Sequence, residues 1–267
     1  MIPKLIDNVI IGLNMNIFKP IMLTLLLLQA KSSICNESSL TVAVSANVKY
    51  AFEDLAAEFT KETGVPVKSV VSSSGKLTAQ VKSGAPYDVF LSADMKYPEA
   101  LYKDGLAVSE PKVYASGMLV LWSARDVDLS KGVAGMADGT IKRVAIPNPK
   151  LAPYGREAIK TLDYYKVRAS VEPKLVYGES ISQVNQYIDS KSVDVGFTAK
   201  SVVLSPELQG KGKWVEVPAE SYEPIAQGLV MLRHGQAENG DATRKFYGFV
   251  LSDKARAIFA KYGYKLP

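Results

Sequence analysis

The chain of 267 residues is 47% hydrophobic and 22% charged, which excludes a disordered chain, a collagen-like repeat and a polytopic membrane protein. Its net charge of +5 falls to +3 over residues 36–267, too weak and too dispersed to indicate nucleic acid as a partner. Because the chain has one histidine, His234, and one cysteine, Cys35, no internal disulfide can form. A zinc site, a Cys/His dyad or a Ser/His/Asp triad would depend on His234 alone.

The N-terminal segment contains a short apolar run, IMLTLLLL at 21–28, between Lys19 and a polar stretch. Spanning a bilayer needs about 20 apolar residues, so this run is too short. A charged start, a short apolar centre and a polar exit are typical of a secretory signal. We expect residues 1–35 to be a signal segment removed by cleavage between Ala30 and Cys35, and a buried hydrophobic helix is the alternative. Lipid anchoring through Cys35 is disfavoured, because the preceding SSI lacks the small residue expected beside a lipidated cysteine.

From residue 39 onward, strand-like and helix-like segments alternate. LTVAVSA (40–46) is followed by an amphipathic segment whose apolar residues recur at helical spacing up to Gly64; these residues are Val48, Phe52, Leu55, Ala56 and Phe59. The later segments predict strands at PVKSVVSS, YDVFLSA, GMLVLWSA, KRVAIPNP, PKLVYGE and VDVGFTA. Helices are predicted around Leu77, from Pro98 to Gly105, at 155–165 and at 182–189.

The tail consists of an apolar run, PIAQGLVML (224–232), and a stretch that predicts two helices. Alternation of strands and helices implies an α/β fold with mostly parallel sheets and helices on both faces. Two such lobes fit this length better than one.

Ligands of open parallel sheets bind beyond the carboxyl ends of the strands, next to helix N-termini. Small polar residues occupy two such junctions, at 45–47 (SAN) and 72–74 (SSS). Both would present main-chain N–H groups and a positive dipole end to an anion. The alternative is that Asn47 and Ser74 are N-caps. A P-loop is excluded, because Lys76 is not followed by Ser or Thr.

Two further junctions lie in the second half of the chain. The first is AIPNPKLAPYGREA, where Tyr154 precedes a helix expected to begin near Arg156. Its hydroxyl could face a ligand, or its ring could pack on the surface. The second is YGESISQV, where Ser180 and Ile181 precede a helix.

These four junctions, in this order, resemble the periplasmic molybdate-binding proteins of ABC transporters. The resemblance covers nearly all of 39–267 and includes SSSGKL…Q…SGAPYDVFLSAD, PNPKLAPYGREA, VDVGFTAKS and FYGFVLSDKARAIFAKYG. It implies two lobes, 39–116 with 222–267 and 117–221, that close on a tetrahedral dianion in a hinged cleft.

Carried over position by position, the resemblance assigns the oxyanion-binding residues Ala46, Asn47, Ser74, Tyr154 and Ile181, with Ser45 and Ser73 as secondary candidates. In many members a tyrosine follows the VDVGF-type strand and binds the anion, but Ala199 occupies that position here. We expect Tyr154 to replace that contact from the opposite side.

The resemblance implies a monomeric binding protein, not an enzyme, that carries molybdate or tungstate through the periplasm to ABC permease subunits in the inner membrane. It implies no cofactor and no metal other than that of the oxyanion. One alternative is a binding protein for another oxyanion, such as sulfate or thiosulfate. Another is an exported hydrolase, but the chain lacks a G-x-S-x-G motif and His234 lies in a polar turn without an obvious partner. Asp88 is expected to orient the strand YDVFLSA rather than to bind a metal.

Overall fold

The computed structural model describes residues 39–267, so the expected signal segment and Cys35 lie outside the described residues. Within this range, no helix is both long and apolar enough to cross a membrane. The described residues form two five-stranded sheets flanked by helices, in agreement with the two-lobed α/β fold expected from the sequence.

The first sheet has the strand order β2-β1-β3-β10-β4. Its strands are β1 (Leu40–Ser45), β2 (Val67–Ser72), β3 (Val89–Leu91), β4 (Lys112–Gly117) and β10 (Ile225–Met231). Strand β1 pairs in parallel with β2 and β3, whereas β10 runs antiparallel to β3 and β4. The ladder between β10 and β4 shifts register between Gln227 and Gly228, as at a β-bulge.

The second sheet has the order β7-β6-β8-β5-β9. Its strands are β5 (Leu119–Ser123), β6 (Val144–Pro147), β7 (Leu175–Gly178), β8 (Val195–Ala199) and β9 (Lys213–Glu216). Strand β6 pairs in parallel with β7 and β8, and β5 is antiparallel to β8 and β9.

Both sheets are therefore mixed, where the alternating pattern indicated mostly parallel ones. Parallel pairing needs a crossover of about a dozen residues, which the helices between β1, β2 and β3 and between β6, β7 and β8 supply. The remaining strands lie where the chain passes between the sheets. Strands β4 and β9 were not predicted, because they are partly exposed edge strands with charged residues at their ends.

The predicted helices are present with small shifts at their starts, and three further short helices, Arg168–Val171, Lys200–Val203 and Arg233–Glu238, were not predicted. They are α1 (Lys49–Thr63), α2 (Ser74–Lys82), α3 (Lys96–Lys103), α4 (Pro153–Tyr164), α5 (Arg168–Val171), α6 (Ile181–Asp189), α7 (Lys200–Val203), α8 (Arg233–Glu238), α9 (Gly240–Val250) and α10 (Asp253–Lys261). Helix α3 begins two residues before Pro98. Helix α1 ends as predicted at Gly64, whose N–H still donates to the Thr60 carbonyl and whose φ of 74° turns the chain out of the helix.

The helices bury their apolar faces on the sheets. Phe52, Leu55 and Phe59 of α1 are buried as the spacing predicts, and the Phe59 ring packs edge-on against Phe246 of α9 at 5.0 Å between centroids. Full burial of such a side chain contributes about 1.5–3 kcal/mol. This packing fixes α1 on the first sheet and so places the turn that precedes α1. The lobe boundaries at 116/117 and 221/222 remain a prediction; Gly117, on the far side of the first boundary, is still the last residue of β4 in the first sheet.

Candidate functional site

Four segments of the chain meet at one small, nearly filled cavity. Every residue assigned from the resemblance lines it, the two secondary candidates included. The lining residues are Ser45, Ala46, Asn47, Ser73, Ser74, Ala93, Ala152, Pro153, Tyr154 and Ile181. Sequence reasoning missed Ala93, Ala152 and Pro153, although each lies inside a motif that carries the resemblance. No sequence signal singled these apolar residues out, because they offer no side-chain donor.

Helix N-termini surround this cavity. Helix α2 begins at Ser74, α4 at Pro153 and α6 at Ile181, while a 3-10 turn over Ala46–Val48 leads directly into α1. The first N–H groups of a helix have no partner within it and carry a partial positive charge. The geometry therefore directs several main-chain donors at one point, from both sheets.

Asn47 and Ser74 are not N-caps, which removes the alternative explanation of the first two junctions. The cap positions belong to Ser45 and Ser73, and neither side chain makes a capping hydrogen bond. By contrast, Ser180 caps α6 in the ordinary way, its hydroxyl accepting from the Gln183 N–H. The polar side chains at the first two junctions are therefore not used to cap these helices.

The side chain of Asn47 is held by protein groups. Its Nδ2 donates to Gln227 Oε1 at 2.8 Å and to Tyr264 Oη at 3.1 Å, and its Oδ1 accepts from Ser45 Oγ at 2.6 Å. The carbonyl of Asn47 accepts from Ser201 Oγ at 2.7 Å. Asn47 therefore offers the cavity its main-chain N–H, while its side chain anchors the turn.

The two serines at the second junction retain donor capacity. Among the described residues, Ser73 Oγ is the buried side-chain polar atom without a hydrogen-bond partner. Ser74 Oγ accepts from the Ala93 N–H at 3.0 Å, which leaves its own proton available. An unpaired buried hydroxyl is destabilising by about 1–3 kcal/mol, so its presence in this wall points to a ligand.

Tyr154 lies in the first turn of α4 and is 1% exposed, so its ring does not pack on the surface. Its hydroxyl oxygen accepts from Gln227 Nε2 at 3.3 Å. Burial raises the pKa of this phenol well above its ordinary value of 10, so the hydroxyl keeps its proton. Helix α4 begins three residues earlier than predicted, and this places Tyr154 at the cavity. Ala199 is fully buried at the end of β8 and is not among the lining residues.

The rim of the cleft is closed by contacts between the two halves of the described chain. The Gly75 N–H donates to the Leu151 carbonyl at 2.9 Å, and Lys76 pairs with Glu179 at 2.9 Å. Arg156 pairs with Asp94. Burial raises the pKa of Asp94, and this effect exceeds the opposing attraction of Arg156. The charged groups thus lie at the rim, and within residues 39–267 no carboxylate lines the cavity itself.

His234 and Asp88 lie elsewhere. The expectation that His234 is a loop residue without a partner is wrong, because it lies in α8 with Nδ1 3.2 Å from Asp88 Oδ1. The buried carboxylate of Asp88 also accepts from the Thr41 N–H at 2.6 Å and from Asn239 Nδ2 at 3.0 Å. This confirms that Asp88 orients the local strands.

Comparison with known proteins agrees with this geometry. The family model for "Bacterial extracellular solute-binding protein" matches residues 40–265. The chain is 36% identical over 227 residues to the molybdate-binding protein ModA of Azotobacter vinelandii, covering 84% of this chain and 89% of that one. It is 39% identical to ModA of Rhodobacter capsulatus, covering 83% and 86%.

A solved structure supports the same relationship. The periplasmic molybdate-binding protein of Azotobacter vinelandii superposes with a TM-score of 0.79 at 35% identity, covering 86% of this chain and all of that chain. The resemblance drawn from the four junctions is confirmed by these matches. The chain belongs to the bacterial extracellular solute-binding protein family.

Proposed function

We propose that this protein binds molybdate, and tungstate as well, in the periplasm as a monomer and delivers the anion to the permease of an ABC transporter. The observation that carries the proposal is the donor-only wall of the cavity. Main-chain N–H groups at helix N-termini, the Ser73 and Ser74 hydroxyls and the Tyr154 hydroxyl face it, without a carboxylate. Two curated relatives with more than a third of their residues identical are named molybdate-binding proteins.

A donor-only wall suits a doubly charged anion that carries no proton. Burying such a charge is prohibitive unless hydrogen bonds replace the lost water, and helix N-termini provide these bonds without a cationic side chain. Molybdate and tungstate have no proton at neutral pH, so every oxygen can accept. Phosphate keeps a proton that would face donors, which disfavours it.

Sulfate has the same charge as molybdate but is smaller. A closed cavity sized for the larger anion would engage fewer sulfate oxygens at good distance, since hydrogen bonds weaken steeply outside their normal geometry. The size of the anion, and not its charge, therefore separates molybdate from sulfate in this proposal. Closure of the two lobes would give the permease a shape that reports occupancy.

Thermal shift and calorimetry with molybdate, tungstate, sulfate and phosphate test this proposal. An anion at roughly 100 times its Kd stabilises the folded state by about 2.7 kcal/mol, which for this size raises Tm by roughly 5–11 °C. We expect that shift with molybdate and tungstate and little with sulfate. A shift with sulfate alone would identify another oxyanion as the ligand, and no shift with any anion would contradict the proposal.

Variants connect the binding to this cavity. Ser74→Ala and Asn47→Ala are each expected to weaken molybdate binding about tenfold, the first by removing a donor and the second by releasing the turn that aims a main-chain N–H. Ser69→Ala is the matched control, because Ser69 is exposed on β2, the strand that leads to Ser74. Unchanged affinity in both Ser74→Ala and Asn47→Ala would show that the anion binds elsewhere.

A further inference from the structure

We propose that Gln227 is a specificity-determining positioning residue, which fixes the Tyr154 hydroxyl as a donor toward the cavity and so rejects oxyanions that carry a proton. This inference rests on the proposed function, because it concerns the same cavity. Gln227 is not a cavity-lining residue, and it lies outside the motifs that carry the resemblance. Its side chain is fully buried beneath the site.

The orientation of the Asn47 amide follows from its neighbours. Tyr264 Oη lies 3.0 Å from the Asn47 carbonyl oxygen and 3.1 Å from Ser201 Oγ, and its single proton is directed to one of these two acceptors. Its contact with the Asn47 side chain at 3.1 Å is therefore with the amide nitrogen, which donates to it. Asn47 Oδ1 then accepts from Ser45, and Nδ2 also donates to Gln227.

The same reasoning fixes the Gln227 amide. The Gln227 atom 2.8 Å from Asn47 Nδ2 must be the oxygen, because Nδ2 donates. Tyr114 Oη lies 2.8 Å from the same oxygen and 3.2 Å from the Ser92 carbonyl, and its single proton is directed to the nearer acceptor, Gln227. The Gln227 nitrogen is left facing Tyr154 Oη at 3.3 Å, and it can only donate. The Gln227 N–H thereby occupies one lone pair of the Tyr154 oxygen.

The consequence is a fixed polarity at the cavity wall. Tyr154 accepts from Gln227, and its own proton makes no hydrogen bond to a protein acceptor among the described residues. An anion oxygen is the natural acceptor. A serine hydroxyl can rotate and either donate or accept, whereas the Tyr154 hydroxyl is confined to the plane of its ring and held by Gln227. Tyr154 would therefore meet the proton of hydrogen phosphate as a clash of two donors.

Local backbone features keep this pair together. Gln227 stands at the register shift in β10, and bulges of this kind redirect side chains beside functional sites. At Gly117 a Cβ atom would overlap both the Tyr154 hydroxyl and Gln227 Nε2, so this glycine is required for their approach. The glycine at the end of β4 and the register shift in β10 thus both accommodate the Gln227–Tyr154 contact.

The test compares hydrogen phosphate with sulfate, two dianions of nearly equal size that differ by one proton. In Gln227→Glu an ionised carboxylate of the same shape would accept the Tyr154 proton, and the tyrosine lone pair would turn to the cavity. The added charge weakens the binding of both dianions alike. The ratio of the phosphate affinity to the sulfate affinity therefore reports only whether Tyr154 donates to the cavity or accepts from it. Both affinities are measured by competition against bound molybdate at about pH 7.5 and about pH 9.5, because a buried carboxyl that keeps its proton at the lower pH loses it at the higher one.

We expect the phosphate-to-sulfate affinity ratio to rise about tenfold or more in Gln227→Glu at the higher pH, a change equivalent to about 1.4 kcal/mol. In a Tyr154→Phe background, which lacks the hydroxyl, the same substitution should leave the ratio unchanged. A ratio within twofold of the wild-type value at both pH values, or the same rise in the Tyr154→Phe background, would overturn the inference. Wild-type protein that binds no molybdate would instead contradict the proposed function.

Discussion

The floor and the rim of the cleft hold the two halves of the described chain together by different means. At the floor, neutral groups make buried hydrogen bonds between the halves: Ser201 bonds to Asn47 and Tyr264, and Tyr154 bonds to Gln227. At the rim, charged pairs such as Lys76–Glu179 are half exposed to water. A negative charge at the floor would repel a bound anion strongly, because the dielectric there is low. Charges at the rim are screened by water and salt. The comparison indicates that anion binding depends on uncharged donors, and closure on rim geometry.

The largest expected effect comes from placing a charge at the floor. Ser73→Asp keeps a good N-cap residue at the start of α2 but puts a carboxylate into the donor wall. Repulsion of an anion by a desolvated like charge is several kcal/mol, so molybdate affinity should fall on the order of a thousandfold. Calorimetry measures the loss, and Ser69→Asp, on the exposed part of β2, is the control that should bind normally. Binding within tenfold of wild type would show that Ser73 does not face the anion.

A smaller loss is expected from obstructing the rim without changing its charge. In Gly75→Ala the new Cβ would lie 2.7 Å from Tyr97 Oη and 2.9 Å from the Leu151 carbonyl, so the closed arrangement must open slightly. We expect molybdate affinity to fall about tenfold. Alanine stabilises a helix relative to glycine by about 0.5–1 kcal/mol. The Gly75→Ala variant, although opened at the rim, should therefore keep its free energy of unfolding.

The control for that substitution is Gly248→Ala in α9, where no atom lies within 4 Å of the added Cβ. It should raise the free energy of unfolding without changing affinity. The diagnostic result for Gly75→Ala is therefore an affinity loss without a loss of Tm in the absence of anion. Parallel losses of Tm and affinity would indicate general destabilisation instead.

Removing a charge from the rim is expected to have a still smaller effect. The side chains of Lys76 and Glu179 are 48% and 63% exposed, and ion pairs of this kind contribute about 0–1 kcal/mol. Lys76→Gln should change the molybdate Kd by about twofold or less, and the difference should vanish at high salt. A loss of tenfold or more that persists at high salt would mean that Lys76 contacts the anion directly, contrary to the distinction between floor and rim.

The sequence predicted the elements that bear periodic apolar residues, such as α1 and its end at Gly64, and it located all four junctions. It did not reveal the edge strands β4 and β9, whose pattern is weak because one side faces solvent. It also did not identify Gln227 as a partner of Asn47. These residues are 180 positions apart, and the bulge that brings them together has no local sequence signal. The helix start at Pro153 was missed because this proline was assigned to the loop, although proline is favoured in the first turn of a helix.

The smallest expected effect is that of pH on affinity. Three buried tyrosines, Tyr114, Tyr154 and Tyr264, have pKa values raised above 10, chiefly by burial. Since they stay neutral in the folded protein, molybdate affinity should be flat between about pH 7 and about pH 10, as calorimetry across that range would show.

Stability should behave differently over the same pH scale. The unfolded chain ionises its tyrosines near pH 10 while the folded protein does not, so the unfolded state releases protons first. The stabilisation from these raised pKa values is complete below pH 10 and is lost as the pH rises from about 10 toward the folded-state values. Thermal unfolding with and without molybdate should therefore show both Tm values falling above pH 10 with a nearly constant difference between them. An affinity that already drops between pH 8 and pH 9 would mean that a donor at the floor loses its proton in that range. The floor would then carry a charge, and the distinction between an uncharged floor and a charged rim would be wrong.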